Sequence, residues 1–201
     1  MKIRRVREGE GERLREIRLG ALTDAPSAFD SSLSAERELP AEVWERRAAA
    51  GAAGVNAVTY FAEENGTDDA RTDDTDGGPN DGGPNDGAGE NDGADDDNGG
   101  GAVVGLVTGL RDVGGAGDVL IVSMWVAPEA RGHGLGRRLL DVVVDWAREV
   151  GAPYVELWVT EGNGPAQTLY ERAGFLPTGV RAPLDTDPSL AGIKLRRVLD
   201  P

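Results

Sequence analysis

Residues 119–136 read VLIVSMWVAPEARGHGLG, an apolar run that stops at Ala127-Pro128 and gives way to a turn with glycine at positions 132, 134 and 136. Residues 135–150 then become amphipathic, with Leu139, Leu140, Val143, Trp146, Ala147 and Val150 on one broad face. The order is strand, turn, helix. Glycines at alternate positions remove the Cβ atoms that would keep a ligand away, so successive backbone N–H groups can converge on an anion. A helix starting near Leu135 adds its positive dipole end. Such a turn suits a pyrophosphate.

Spacing separates this turn from other phosphate-binding turns. A dinucleotide fingerprint beginning Gly132-x-Gly134 would close on a third glycine where this chain has Arg137, and no acidic ribose-binding residue ends a matching downstream strand. A P-loop needs Lys and Ser or Thr after its last glycine, whereas Gly136 is followed by Arg137 and Arg138. What remains is Arg-x-x-Gly-x-Gly, with Arg131, Gly134 and Gly136 as its fixed members, after a strand ending at Val126. This pattern resembles the acyl-CoA signature of the GNAT superfamily of N-acetyltransferases.

A second segment carries the same resemblance. An apolar strand over residues 154–160 leads through Glu161-Gly162-Asn163-Gly164-Pro165 into a short helix over residues 166–173. Pro165 suits a first helical turn, and Gly174 stands where a left-handed C-terminal residue is wanted, followed by apolar Phe175. Asn163-x-x-Ala166-x-x-Leu169-Tyr170-Glu171-x-x-Gly174-Phe175 is similar to the second half of the acetyltransferase core, at the expected distance from the first.

Working outward, residues 2–7 read as a strand, 11–22 as a helix with Leu14, Ile17, Leu19 and Leu22 as its apolar stripe, and 40–50 as a second helix opening at a proline. Residues 55–62 and 102–111 read as two strands of an antiparallel hairpin. Strands over 119–126 and 154–160 flank the 135–150 helix, which makes a βαβ crossover with parallel strands. Residues 176–181 and 192–199 complete the set. The expected class is α/β (α+β): a single domain around a mixed, mainly antiparallel sheet of about seven strands with about four helices. The resemblance implies the GNAT fold, in which the parallel fourth and fifth strands splay apart.

Residues 65–101 interrupt the hairpin with a segment made almost wholly of Gly, Asp, Asn, Pro, Thr and Ala, including the direct repeat GGPND at 77–81 and 82–86. Such a composition cannot build a core, and we expect a disordered acidic insertion. From Glu63 to Asn98 there are 14 acidic residues and one basic, so −13 of the chain's −15 lies there and the body is near neutral. The charge therefore describes a solvating loop rather than a surface for a basic partner. Its aspartates lack the spacing of a calcium loop, and no metal site is expected.

The chain has no cysteine, 2 lysines and 19 arginines. Absent cysteine excludes disulfides and thiolate chemistry and fits a cytoplasmic setting. The charged start, MKIRRVRE, lacks the apolar core of a signal peptide, and no apolar run approaches a membrane span. Neither membrane nor nucleic-acid binding is expected, since no basic patch supports the latter. Self-association as a homodimer is compatible with these features.

Carried over by position, the resemblance implies acetyl-CoA as acyl donor. Backbone groups of Met124 and Val126 would pair with its pantetheine arm, and the turn from Arg131 through Gly132, His133, Gly134 and Leu135 to Gly136, with Arg137 nearby, would hold the pyrophosphate. Asn163 matches a position near the arm. Tyr170 matches the general acid, and Glu161, just past the fifth strand, is the candidate base. Phe29, Asp30, Ser123 and Trp125 are candidates for the acceptor site, because the connection over residues 24–39 is the specificity element in such proteins. The chemistry accounts for these types: an amine with a pKa near 10.4 must lose a proton before it attacks a thioester, and the departing thiolate must gain one. The expected function is N-acetyl transfer to a primary amine of a small molecule or protein, by direct attack in a ternary complex. The alternative is a non-catalytic acyl-CoA-binding regulatory or interaction module.

Overall fold

A computed structural model describes residues 1–64, 101–112 and 115–200. The acidic insertion expected over residues 65–101 lies, but for Gly101, outside them. In chain order the elements are β1 (Lys2–Arg5), α1 (Gly11–Asp24), α2 (Leu33–Arg37), α3 (Ala41–Ala53), β2 (Ala57–Glu63), β3 (Val103–Arg111), β4 (Val119–Val126), α4 (Leu135–Glu149), β5 (Tyr154–Thr160), α5 (Gly164–Arg172), β6 (Leu176–Pro183) and β7 (Ala191–Val198). Among the described residues they build one seven-stranded sheet in the order β1-β2-β3-β4-β5-β7-β6. Only β4 and β5 run parallel, as the crossover reading requires.

Each face of the sheet has its own packing. The apolar stripe of α4 is the strongest in the chain, and Leu135, Leu139, Leu140, Val143, Trp146 and Ala147 are all buried on one face. Two glycines of β3 let this helix come close: a Cβ at Gly109 would stand 2.8 Å from Val143 Cγ1 and 3.0 Å from the Trp146 ring, and Gly105 faces Leu139 in the same way. Trp146 Nε1 donates to the Gly54 carbonyl at 2.8 Å, which ties α4 to the left-handed cap of α3. On the opposite face α1 and α3 press Leu14, Trp44 and Ala48 against Phe61 and Leu106.

Two readings of the sequence need correction. The connection over residues 24–39 contains a helix, α2, whose first turn is capped by the Ser32 hydroxyl accepting from the Ala35 N–H at 3.2 Å. With α2 included there are five α-helices among the described residues, in line with the expected set of about four. The buried stripe of α1 is Gly11, Leu14, Arg18, Ala21 and Leu22, while Ile17 and Leu19 are only half-buried. An arginine thus occupies a core position.

The hairpin of β2 and β3 stays closed where the insertion leaves it. Glu64 N–H donates to the Ala102 carbonyl at 2.9 Å, and a Cβ at Gly101 would meet the Glu64 carbonyl oxygen at 2.1 Å. Replacing residues 65–100 by an Asn-Gly turn should therefore keep the register. Shortening the closure from 36 residues to two should stabilise by about 2.5 kcal/mol in the ideal-chain estimate. That corresponds to a rise of about 5–10 °C in melting temperature for a domain of this size. Thermal denaturation of the shortened protein checks this; a fall in melting temperature would mean that the insertion packs on the body.

Candidate active site

The site begins with a defect in β4. Thr108 pairs with Val122 and Leu106 with Trp125, so Ser123 and Met124 together oppose the single residue Val107. This is a β-bulge, and it places Ser123 at φ 57, a left-handed conformation uncommon outside glycine. The parallel pairing with β5 stops just before it, at Ile121 opposite Leu157. Beyond that point β4 follows β3 and β5 follows β7, and the two strands separate into an open V.

The V exposes backbone groups. Ala127 N–H donates to the Val104 carbonyl at 2.9 Å, so by strand alternation the amide and carbonyl of Val126 point away from β3, into the opening. Arg131 Nε donates to that carbonyl at 2.9 Å, and the Arg131 guanidinium also pairs with Asp24 at the end of α1. Trp125 Nε1 donates to the same Asp24 carboxylate at 2.9 Å. Arg131 therefore fixes the start of the turn against α1 and β4.

Past Arg131 the turn is built to present amides. Gly132 and Gly134 have φ of 79° and 77°, and a Cβ placed on either would meet nothing within 4 Å: these glycines are required by backbone conformation and open onto space. Arg138 N–H makes the first bond of α4, to the Gly134 carbonyl at 3.2 Å. The preceding amides, from Gly132 to Arg137, have no backbone acceptor among the described residues, and the helix has no side-chain cap. Free amides and a helix N-terminus converge on one spot, as an anion requires. Gly136 has a different role, since a Cβ there would press to 3.1 Å from Leu169 Cδ2.

Two clefts meet within the V. One, of about 630 Å³, runs from the glycine turn past Val126 and Asn163 to Tyr170. The other, of about 530 Å³, lies on the far side of β4 and is walled by Ser123, Trp158, Leu184 and the chain near Asp30. Phe29, Met124 and Tyr170 line both. Tyr170 packs edge-on to Phe175, with ring centroids 6.2 Å apart, and burial pushes its phenol up to about 12. It stays protonated through the working pH range and stands where the two spaces join.

The candidates named from sequence separate into groups. Met124, Val126, Arg131, Gly132, Gly134, Leu135, Gly136 and Asn163 all border the glycine-turn cleft. Asn163 also caps α5, its Oδ1 accepting from the Ala166 N–H at 3.3 Å. His133 and Arg137 lie off the wall; Arg137 binds Asp141 and donates to the Arg172 carbonyl at 2.9 Å, holding α4 to α5. Phe29, Asp30 and Ser123 border the second cleft, whereas Trp125 borders the first. Glu161 borders neither cleft and is ion-paired with Arg181, both side chains being exposed.

Sequence reasoning missed the residues that shape the second cleft. Leu184 and Asp185 arrive from the β6–β7 connection by long-range contacts, for which the sequence carries no signal. Asp30 Oδ1 accepts from the Asp185 N–H at 2.6 Å and Thr160 Oγ1 donates to the Ser27 carbonyl at 2.7 Å, so the loop bearing Phe29 is latched at two points. Arg18 also lines this cleft, and its signal was present: a charge at a position where the α1 stripe calls for an apolar residue. No cluster of three or more His, Cys, Asp or Glu able to hold a metal ion occurs among the described residues, and none of their helices is long and apolar enough to cross a membrane.

Known proteins show the same features. A family model described as acetyltransferase (GNAT) family matches residues 80–175. A mycothiol acetyltransferase of Beutenbergia cavernae is 45% identical over 62 residues, 31% of this chain and 21% of that protein. The chain spans between about a fifth and a third of the length of the curated relatives it matches first. An acetyltransferase of this family from Streptococcus pneumoniae superposes with a TM-score of 0.69 at 18% identity, covering 99% of each chain. A Salmonella typhimurium structure containing acetyl-CoA superposes with a TM-score of 0.65 at 19% identity, over 100% of this chain and 95% of the other. At such identities the superpositions speak for the fold.

Proposed function

We propose that the chain is a member of the GNAT acetyltransferase family, whose model matches residues 80–175, and that it transfers the acetyl group of acetyl-CoA to a primary amine by direct attack in a ternary complex. The observation that carries this reading is the meeting of two clefts at Tyr170, one ending in an anion-binding turn and the other open to an acceptor. The free amides between Gly132 and Arg137 suit a pyrophosphate, and the outward amides of the splayed β4 suit a pantetheine arm. Acetyl-CoA is bound in the Salmonella protein of the same fold, which supports the same ligand here. When bound it would supply an acyl carbon activated by its thioester.

The chain's own groups then have distinct tasks. The Val126 N–H can donate to an oxygen on which charge develops, a preorganised dipole of the kind that contributes most to acyl transfer. Tyr170, held protonated by burial, can give its proton to the departing sulfur. With Glu161 engaged by Arg181, the amine's proton leaves through water toward the mouth of the acceptor cleft, where the exposed carboxylates of Asp30 and Asp185 stand. The described body and its insertion act as one catalytic domain in this reading. The mycothiol acetyltransferase name of a 45%-identical relative favours a small-molecule acceptor.

Calorimetry with acetyl-CoA, followed by a screen of amines for acetyl-CoA-dependent thiol release, tests the reading. Binding together with amine-dependent release is expected. Binding without release for any amine would favour the acyl-CoA-binding module, and absent binding would remove both.

A further inference from the structure

The acceptor cleft contains a buried cation with an unused donor. Arg18, on α1, is 7% exposed and lines this cleft, and its guanidinium carbon lies 4.5 Å from the centroid of the Phe29 ring, so stacking fixes the plane of the fork. Nε and Nη2 both turn to a single oxygen, Glu36 Oε1, at 3.3 and 3.2 Å. Nη1 is buried and has no hydrogen-bond partner among the described residues. The other oxygen of Glu36 accepts from Arg47 Nη1 at 2.9 Å. Glu36 is thereby shared between two arginines.

Burial lowers the Arg18 pKa, and Glu36 only partly offsets this. Buried arginine of this kind calls for an oxygen on its free edge. Other arginines in the protein also have a buried nitrogen without a partner, Arg111 and Arg197 among them, but neither lines a cleft. Of the three, Arg18 alone combines an unpartnered buried donor with a place on a cleft wall. Asp30 and Asp185, the two carboxylates of the same cleft, are both exposed, and Asp30 already accepts the Asp185 amide. Neither forms an ion pair with Arg18 among the described residues.

We infer that Arg18 anchors an anionic group of the acceptor, and that the acceptor is therefore a small amine bearing a carboxylate, of amino-acid type, rather than a simple alkylamine or polyamine. Its carboxylate would lie against the Arg18 edge over Phe29, and its amine would extend toward Ser123 and Tyr170. The inference rests on the acetyl-transfer reading for the reaction, but the binding of the acceptor can be measured separately.

The test compares free α-amino acids with their carboxamides in the thiol-release assay, using the wild-type protein and the double variant Arg18→Met/Glu36→Gln. Removing both charges together avoids stranding Glu36, and acetyl-CoA affinity serves as the control for folding. Wild type should prefer the carboxylates by at least tenfold in kcat/KM, mainly through KM, and the variant should lose that preference. Equal kcat/KM for the two classes in wild type, or an undiminished preference in the variant, would overturn the inference and leave the acetyl-transfer reading intact. If no amine is acetylated although acetyl-CoA binds, calorimetric titration of the same amino acids into the coenzyme A complex decides: binding that disappears in the variant supports the anion anchor while the reaction reading fails. Binding of neither class overturns both.

Discussion

Gly134→Asp is expected to weaken acetyl-CoA binding by about a hundredfold, with little change in the far-UV spectrum. The native φ of 77° at this residue is paid for by no neighbour, since a Cβ there would touch nothing, so the loss should come from conformation and charge rather than collision. A side chain in the left-handed region costs ~1–2 kcal/mol. A carboxylate among the free amides at the start of α4 competes for the donors that a pyrophosphate would use and opposes its charge, adding about 1–2 kcal/mol. Their sum, roughly 3 kcal/mol, is two powers of ten in affinity. Gly134→Ala separates the two contributions, because it keeps the strain and omits the charge; it should lose about tenfold. Calorimetry that finds unaltered affinity in Gly134→Asp would remove the turn from the ligand site.

Tyr170→Phe should lower kcat by about 10²-fold, at the low end for general acid catalysis because a thiolate with a pKa near 8.5 is already a tolerable leaving group. The ring and its edge contact with Phe175 remain, so acetyl-CoA affinity should hardly change. Its pH dependence is informative. The wild-type phenol is pushed up to about 12 by burial, so deprotonation of Tyr170 should not limit kcat between pH 6 and 10. Activity should rise through the pKa of the amine. The same shift has a consequence for stability: the unfolded chain loses this proton near pH 10 and the folded protein only near 12, so Tyr170 favours the fold below pH 10 and that contribution fades as pH rises through 12. Full kcat in the variant from pH 6 to 9 would show that Tyr170 is not the acid.

Local signals made most of the fold legible. The α4 stripe, the glycine turn and the Pro165–Gly174 punctuation each depend on near neighbours in sequence, and each element formed where its residues placed it. The splay of β4 from β5 was anticipated through resemblance alone, because its cause, the bulge at Ser123 and Met124, leaves no periodic mark. Site residues followed the same division. The turn residues lie on one continuous segment and, His133 and Arg137 apart, border one cleft. The pairing of Glu161 with Arg181, 20 residues away on β6, has no local signal in the sequence. Trp125 went to the other side of β4 because the bulge resets the alternation of the strand and Asp24 holds its indole. Arg18 was overlooked since an apolar stripe was drawn through its neighbours, although a charged residue between Leu14 and Leu22 was itself the clue.

Direct passage of the acetyl group from acetyl-CoA to an amine across the junction at Tyr170 leaves no acetyl on the protein. Mass spectrometry after mixing the protein with isotopically labelled acetyl-CoA and an amine that responds in the thiol-release screen tests this most directly. Direct transfer gives one labelled acetyl on the amine nitrogen for each coenzyme A released, a protein mass that stays unmodified throughout, and suppressed transfer in Tyr170→Phe. Label carried on the protein before it reaches the amine, or coenzyme A released without any acetylated amine, would contradict it.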